Sequence, residues 1–156
     1  MTSSQSVQGS RKFRWLPSLA GGMAAIGVAA LLGTLVTNGS LWFYVAQGFS
    51  IQEAYGRIGS FGLNTPAELL SMAVLLLAGF SGGYVSALYG GGRHVLQAFV
   101  AGIVGTTFFV AMSIGPSNSA PPSWYATLYI ALLLTSSLAG GYWYARNAAA
   151  PTNKTL

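Results

Sequence analysis

The side chains of this protein that can do chemistry are few, and their spacing narrows the chemistry further. In 156 residues there are two acids, seven Lys and Arg together, one His and no Cys. A chain without Cys has no disulfide, zinc–thiolate or iron–sulfur site. Of the two acids, Glu68 is the one that opens an apolar run, in Thr65-Pro66-Ala67-Glu68. Thr before a helix, Pro at its first position and an acid three residues after the cap form a capping box. Glu68 is therefore expected at a helix start with its carboxyl turned back to Thr65. An ionisable group next to a membrane span is also a natural contact for a solute or partner.

The single His, His94, follows Arg93 in a Gly-Gly-Gly-Arg-His turn. A haem-binding bundle takes its axial ligands from within the membrane, and one interfacial His does not supply them. Arg93 and His94 suit an anionic lipid headgroup instead. The remaining polar groups are hydroxyls such as Ser86, Thr106 and Ser137, with no base placed to activate them. The chain has no metal-ligand cluster, no phosphate loop carrying Lys and no carboxylate pair. No catalytic site, no metal site and no cofactor are expected, and the protein is read as a non-enzyme.

The elements that must position these groups follow from composition. The chain is 53% hydrophobic and 6% charged, against roughly 25% charged in a soluble domain. So few charges leave a small domain without a water-compatible surface. The net charge of +5 comes from scattered residues rather than one basic face, which argues against nucleic acid. The expected medium is the lipid bilayer.

Four stretches reach the roughly 20 residues that span it, at about 15–36, 66–89, 95–114 and 124–144. The first is read as an uncleaved helix, because its apolar run is too long for a signal peptide. Thr37-Asn38-Gly39-Ser40 is expected to end it. A loop over 37–65 then carries Trp42, Phe43, Tyr44 and a short amphipathic helix. Ser50 and Glu53 form its capping box, and Ile51, Tyr55 and Ile58 form an apolar face expected to turn inward or onto the membrane interface. Residues 1–14 and 146–156 read as tails, the first disordered. Arg11, Lys12, Arg14, Arg93, Arg146 and Lys154 fall on one side of this arrangement and Arg57 on the other. The positive-inside rule then puts both termini in the cytoplasm. Trp124 and Tyr125 at one end of the last span, with Tyr142, Trp143 and Tyr144 at the other, match interfacial aromatic belts.

Small residues recur every four positions within the spans: Gly21, Ala25, Ala29 and Gly33; Gly79, Gly83 and Ala87; Gly102 in the third; Gly141 and Ala145 in the last. Such stripes let helix backbones approach, which is how helices associate where lipid removes the hydrophobic drive. In the later spans they lie toward the cytoplasmic end. A bundle closed there and wider at the outer end is expected. Gly82-Gly83-Tyr84 and Gly140-Gly141-Tyr142 occupy matching places, as a duplicated helical hairpin would leave them. The expected fold is thus an all-α integral membrane protein, four transmembrane helices as two parallel-repeat hairpins plus a short extracytoplasmic amphipathic helix. The chain resembles the many small four-span membrane proteins of bacteria, which implies an inner (plasma) membrane location. The first functional expectation is a self-associating or accessory subunit, its partner itself or another membrane protein. The alternative is a carrier or channel for a small apolar or lipid-like solute, and polar groups converging inside the bundle would favour it.

Overall fold

Local chemistry sets where each helix starts and stops. In the computed structural model, which describes residues 14–58, 65–113 and 123–149, the helices are α1 (Trp15–Ala46), α2 (Ile51–Ile58), α3 (Pro66–Tyr89), α4 (His94–Ser113) and α5 (Ser123–Ala149). No strand occurs among the described residues. α1, α3, α4 and α5 are long and apolar enough to cross a membrane. The tail expectations for residues 1–13 and 150–156 fall outside the described residues.

α3 begins as its sequence requires, with the Thr65 side chain accepting from the Glu68 N–H at 3.3 Å and Pro66 at the first position. It ends where Gly91 and Gly92 take positive φ, at 65° and 119°, a region that favours glycine. Two boundaries differ from expectation. α1 does not stop at Thr37–Ser40 but runs to Ala46. Thr34 Oγ1 donates to the Ala30 carbonyl and Asn38 Nδ2 to the Thr34 carbonyl, at 2.7 and 2.9 Å. Polar side chains satisfied on their own helix do not end it, and one internal Gly costs only about 1 kcal/mol. The stop comes at Gly48, whose φ is +90°. Trp42, Phe43 and Tyr44 therefore belong to α1 rather than to a loop. α5 likewise continues past 144, through Arg146 to Ala149, so residues 146–149 are helix and not tail.

α3 and α4 each pack against all three other long helices. This puts α1 and α5 at opposite corners of a rhombus. One end of the bundle, here the turn end, gathers the α3–α4 turn, the start of α1 and the end of α5. There Gln97 Nε2 lies 3.5 Å from the Arg14 carbonyl, and the His94 and Tyr144 rings are 5.1 Å apart. Packing at this end leaves no room for a Cβ. A methyl group at Gly82 would lie 2.7 Å from the Ala25 Cβ, one at Gly22 2.6 Å from Val104, and one at Gly83 would run into the Ser137 backbone. Gly141 meets Ala98 and the His94 carbonyl, and Gly102 faces Ser137 and Leu134. The two Gly-Gly-Tyr words lie on facing helices: Gly140 abuts Phe80 and Tyr84, while Gly82 meets α1 and Gly141 meets α4.

The stripe of α1 is only half used. Gly21 and Ala25 are buried, Ala29 is half-buried, and Gly33 has nothing within 4 Å of a built Cβ. All five buried residues of α1 lie between Pro17 and Ala25. Toward the loop end the helix departs from its neighbours. Ala87 is fully buried, whereas Ala145 is partly exposed.

α2 packs on α1. Its capping box is formed: the Ser50 backbone N–H and hydroxyl donate to Glu53 Oε2 at 2.9 and 2.7 Å, and the Glu53 N–H donates back to the Ser50 hydroxyl. These bonds to Ser50, the side-chain one foremost, hold the Glu53 carboxyl below the usual carboxylate range. The Arg57 guanidinium stands 4.0 Å over the Phe49 ring. The inward face differs from expectation. Ala54 is the buried residue, and Ile51 and Tyr55 are more than half exposed. A small side chain is what lets so short a helix approach α1 closely. Ile58, the third residue of the expected face, is half-buried, while Ile51 and Tyr55 point away from the protein.

Candidate functional site

The loop-end half of the bundle brings together three polar side chains from two helices. Glu68 lies in the first turn of α3. Tyr125 and Tyr129 lie in the first two turns of α5, four residues apart and so on one helix face. α3 and α5 both start at the loop end, which places these groups at one depth. Glu68 is 6% exposed. Its Oε1 accepts from the Tyr129 hydroxyl at 2.7 Å, and the Tyr129 oxygen in turn accepts from Tyr125 at 2.7 Å. The rings carry these hydroxyls in a column. Tyr125 stacks on Tyr129 with centroids 4.3 Å apart, and Phe109 of α4 stacks on Tyr129 at 5.5 Å. Leu75 and Leu133 are buried beside Tyr129 in the same core.

Glu68 thus does two things. Its backbone takes the Thr65 cap as the sequence led one to expect. Its carboxyl oxygen Oε1 also crosses to another helix. Tyr125, expected in an interfacial belt, is half-buried and forms the outer member of the column. A carboxyl bonded to a phenol that is itself bonded to a second phenol is a polar station within an otherwise apolar wall. It can accept from a donor on a bound molecule in place of Tyr129, and the freed phenol can donate to that molecule.

Two spaces open in this half of the bundle, and neither is lined by Glu68, Tyr125 or Tyr129 themselves. A cavity of about 140 Å³ lies among all four long helices, walled by Ala25, Ala29, Leu75, Gly105, Phe109 and Leu133 among others. A cleft of about 490 Å³ separates the loop-end half of α1 from the start of α3, with Val36, Ser40 and Tyr44 on one side and Pro66, Ala67 and Leu70 on the other. Glu68 follows Ala67 in the chain, and Phe109 both lines the cavity and stacks on Tyr129.

No family model, curated protein or solved structure matches this chain. Function therefore has to be argued from the geometry alone. The other sequence-derived residues separate into three groups. Gly21, Ala25, Gly79, Gly83, Ala87, Gly102 and Gly141 are packing residues at helix contacts. Trp42, Phe43, Ile51 and Tyr55 present exposed apolar surface, and Tyr44 lines the cleft. His94 is half-buried. Its Nδ1 lies 2.8 Å from the Ala87 carbonyl, and since a carbonyl only accepts, Nδ1 carries the proton. Arg93 is exposed. Among the described residues, no three His, Asp or Glu side chains gather where they could hold a metal.

Two buried groups were not singled out from sequence. Gln97 is fully buried, its Nε2 donating to the Gly90 carbonyl at 2.8 Å. Tyr129 is the partner of Glu68. A signal for Tyr129 existed in its spacing from Tyr125, at a depth matching Glu68.

Proposed function

We propose that the protein resides in a lipid bilayer and acts as a carrier for a small, largely apolar, lipid-like solute. The observation that carries this reading is the buried Glu68 carboxyl bonded to Tyr129 of a second helix, with a half-open apolar pocket on the far side of the Phe109 ring that stacks on Tyr129. Ionisable groups within a membrane are costly, and they mark substrate or ion paths. The cleft supplies a way in for a solute that reaches the protein from the lipid. The bundle is closed at the turn end by glycine contacts and open at the loop end. A carrier site reached from one side at a time has this form.

The test is purification in mild detergent from native membrane, followed by mass analysis of the organic extract. The wild type is expected to retain one organic solute at near-stoichiometric level. Glu68→Gln should lose most of it while melting at a similar temperature. A wild type free of any solute, or equal yields from both proteins, would overturn the reading.

A self-associating or accessory subunit is the second reading. Gly27 on α1 is exposed, with nothing within 4 Å of a built Cβ, and a small residue on an open helix side lets another helix come close. The partner on this reading is a second copy or another membrane protein. The two hairpins, α1 with α3 and α4 with α5, are proposed as parallel repeats whose contacts have since diverged.

For orientation, Arg14, Arg93 and Arg146 lie at the turn end and Arg57 beyond the loop end, which supports cytoplasmic termini, an inner-membrane location and an extracytoplasmic α2. A chain without Cys makes labelling clean. In intact cells, Gln52→Cys should react quickly with an impermeant reagent and Ala54→Cys slowly. Asn147→Cys should react only after the membrane is opened. Fast reaction at Asn147 in intact cells would reverse the topology, and equal rates at 52 and 54 would detach α2 from α1.

A further inference from the structure

We infer that the cavity among α1, α3, α4 and α5 is a binding site for one compact apolar group of about benzene size. This rests on the carrier reading and says which part of the solute goes where. The pocket is half open, with the exposed Ala30 and Phe108 at its rim, and its volume of about 140 Å³ matches that of a closed apolar protein cavity of about 150 Å³ that takes up benzene or xenon. Its lining is Ala, Ile, Gly, Leu and Phe. A resident water needs two to four polar partners, and no side chain of this wall offers one. The space is therefore suited to a hydrocarbon group rather than to water or an ion.

The shape limits how deep an apolar group can reach. Toward the turn end the cavity is blind, since Gly82 against Ala25 and Gly79 against Leu133 leave no passage even for a methyl group. Toward the loop end it continues along one face of α1. Ala29 lines the cavity and Val36 the cleft, and Gly33 lies between them on the same face with nothing near it. A solute passing from cleft to cavity goes by a backbone without a side chain. At the far wall it meets Phe109, which is stacked on Tyr129. The polar station is thus one ring away from the apolar pocket. The solute class this fits is an amphipathic molecule with a ring-sized apolar end and a hydrogen-bonding group near it.

The experiment uses crystals of the full chain soaked in iodobenzene, with the iodine located by its anomalous scattering. One strong iodine site is expected between Ala29 and Phe109, and it should vanish in Ala29→Phe, where the introduced ring occupies the space. Ala29→Leu, a smaller filling, should weaken the site, and both variants are checked for an unchanged melting temperature. If both lose stability, xenon under pressure on wild-type crystals answers alone, with a single internal peak expected. No halogen or xenon in the cavity, or signal only on the outer surface, overturns the inference. The two proposals fail separately. Iodobenzene in the cavity of a protein that carries no native solute removes the carrier reading and leaves the site. Native solute recovered undiminished from a folded Ala29→Phe removes the site and leaves the carrier.

Discussion

Gly83→Ala should not assemble as its parent does, although it adds a single methyl group to a helix. The Cβ would strike the Ser137 carbonyl and lie 2.9 Å from the Ser137 Cα. These are backbone atoms of a facing helix, so no rotamer change relieves the contact. α3 and α5 must separate along their length, and the Gly79–Ser136 and Gly140–Phe80 contacts go with it. Overpacking of a tight core costs about 1–3 kcal/mol, occasionally more, and this site belongs at the upper end. Gly33→Ala is the matched comparison. Its Cβ meets nothing, and Ala is favoured over Gly in a helix by up to about 1 kcal/mol. Melting curves in detergent should therefore show a large drop for Gly83→Ala and none for Gly33→Ala. Coincident curves would mean that the small-residue contacts at the turn end do not hold the bundle together.

Tyr129→Phe is expected to cost more than the loss of one hydroxyl suggests. The substitution keeps the ring stack with Tyr125 and Phe109 but removes both bonds of the phenol. Glu68 then loses its Tyr129 donor in a buried setting, and a hydrogen bond to a charged group is worth about 1.5–3 kcal/mol. Glu68→Gln retains an acceptor for Tyr129 and should cost clearly less. Combining Glu68→Leu with Tyr129→Phe removes both partners, and an apolar replacement of a whole pair is often nearly neutral. The double variant is thus expected to melt closer to the parent than Tyr129→Phe alone. Strictly additive losses would show that the two side chains are not coupled.

Much of the architecture is legible from residue order, because each long helix carries its own limits. Thr65-Pro66 and the glycines at 91 and 92 fix both ends of α3, and the expected span over 66–89 coincides with it. α1 shows where such reading fails. Thr37–Ser40 looks like a break only if the polar side chains are assumed to seek water. Thr34 and Asn38 seek the helix backbone instead, and the helix passes through. Glu68 stood out as a lone acid, but its partner lies 61 residues away. That pairing depends on how far each helix is rotated about its axis, a property of four helices packed together that no local pattern carries. The inward turn of Ala54 in place of Ile51 has the same origin. The hydrophobic face of α2 was readable, but which part of it the protein would cover was not.

The uneven burial of α1 makes it a lever. Its first eleven residues are clamped by α3 and α4 through contacts too close for a methyl group, and the rest has few neighbours to resist displacement. From Ala25 to Tyr44 the free arm is about 28 Å long at 1.5 Å per residue. A tilt of about ten degrees at the clamp then moves Tyr44 by about 5 Å, on that same helical rise. The width of the cleft beside Pro66 and Leu70 is thus set by an angle fixed at the opposite end of the molecule. Tightening or loosening the fulcrum at Gly21, Gly22 and Gly82 would open or shut an entrance that none of those residues touches.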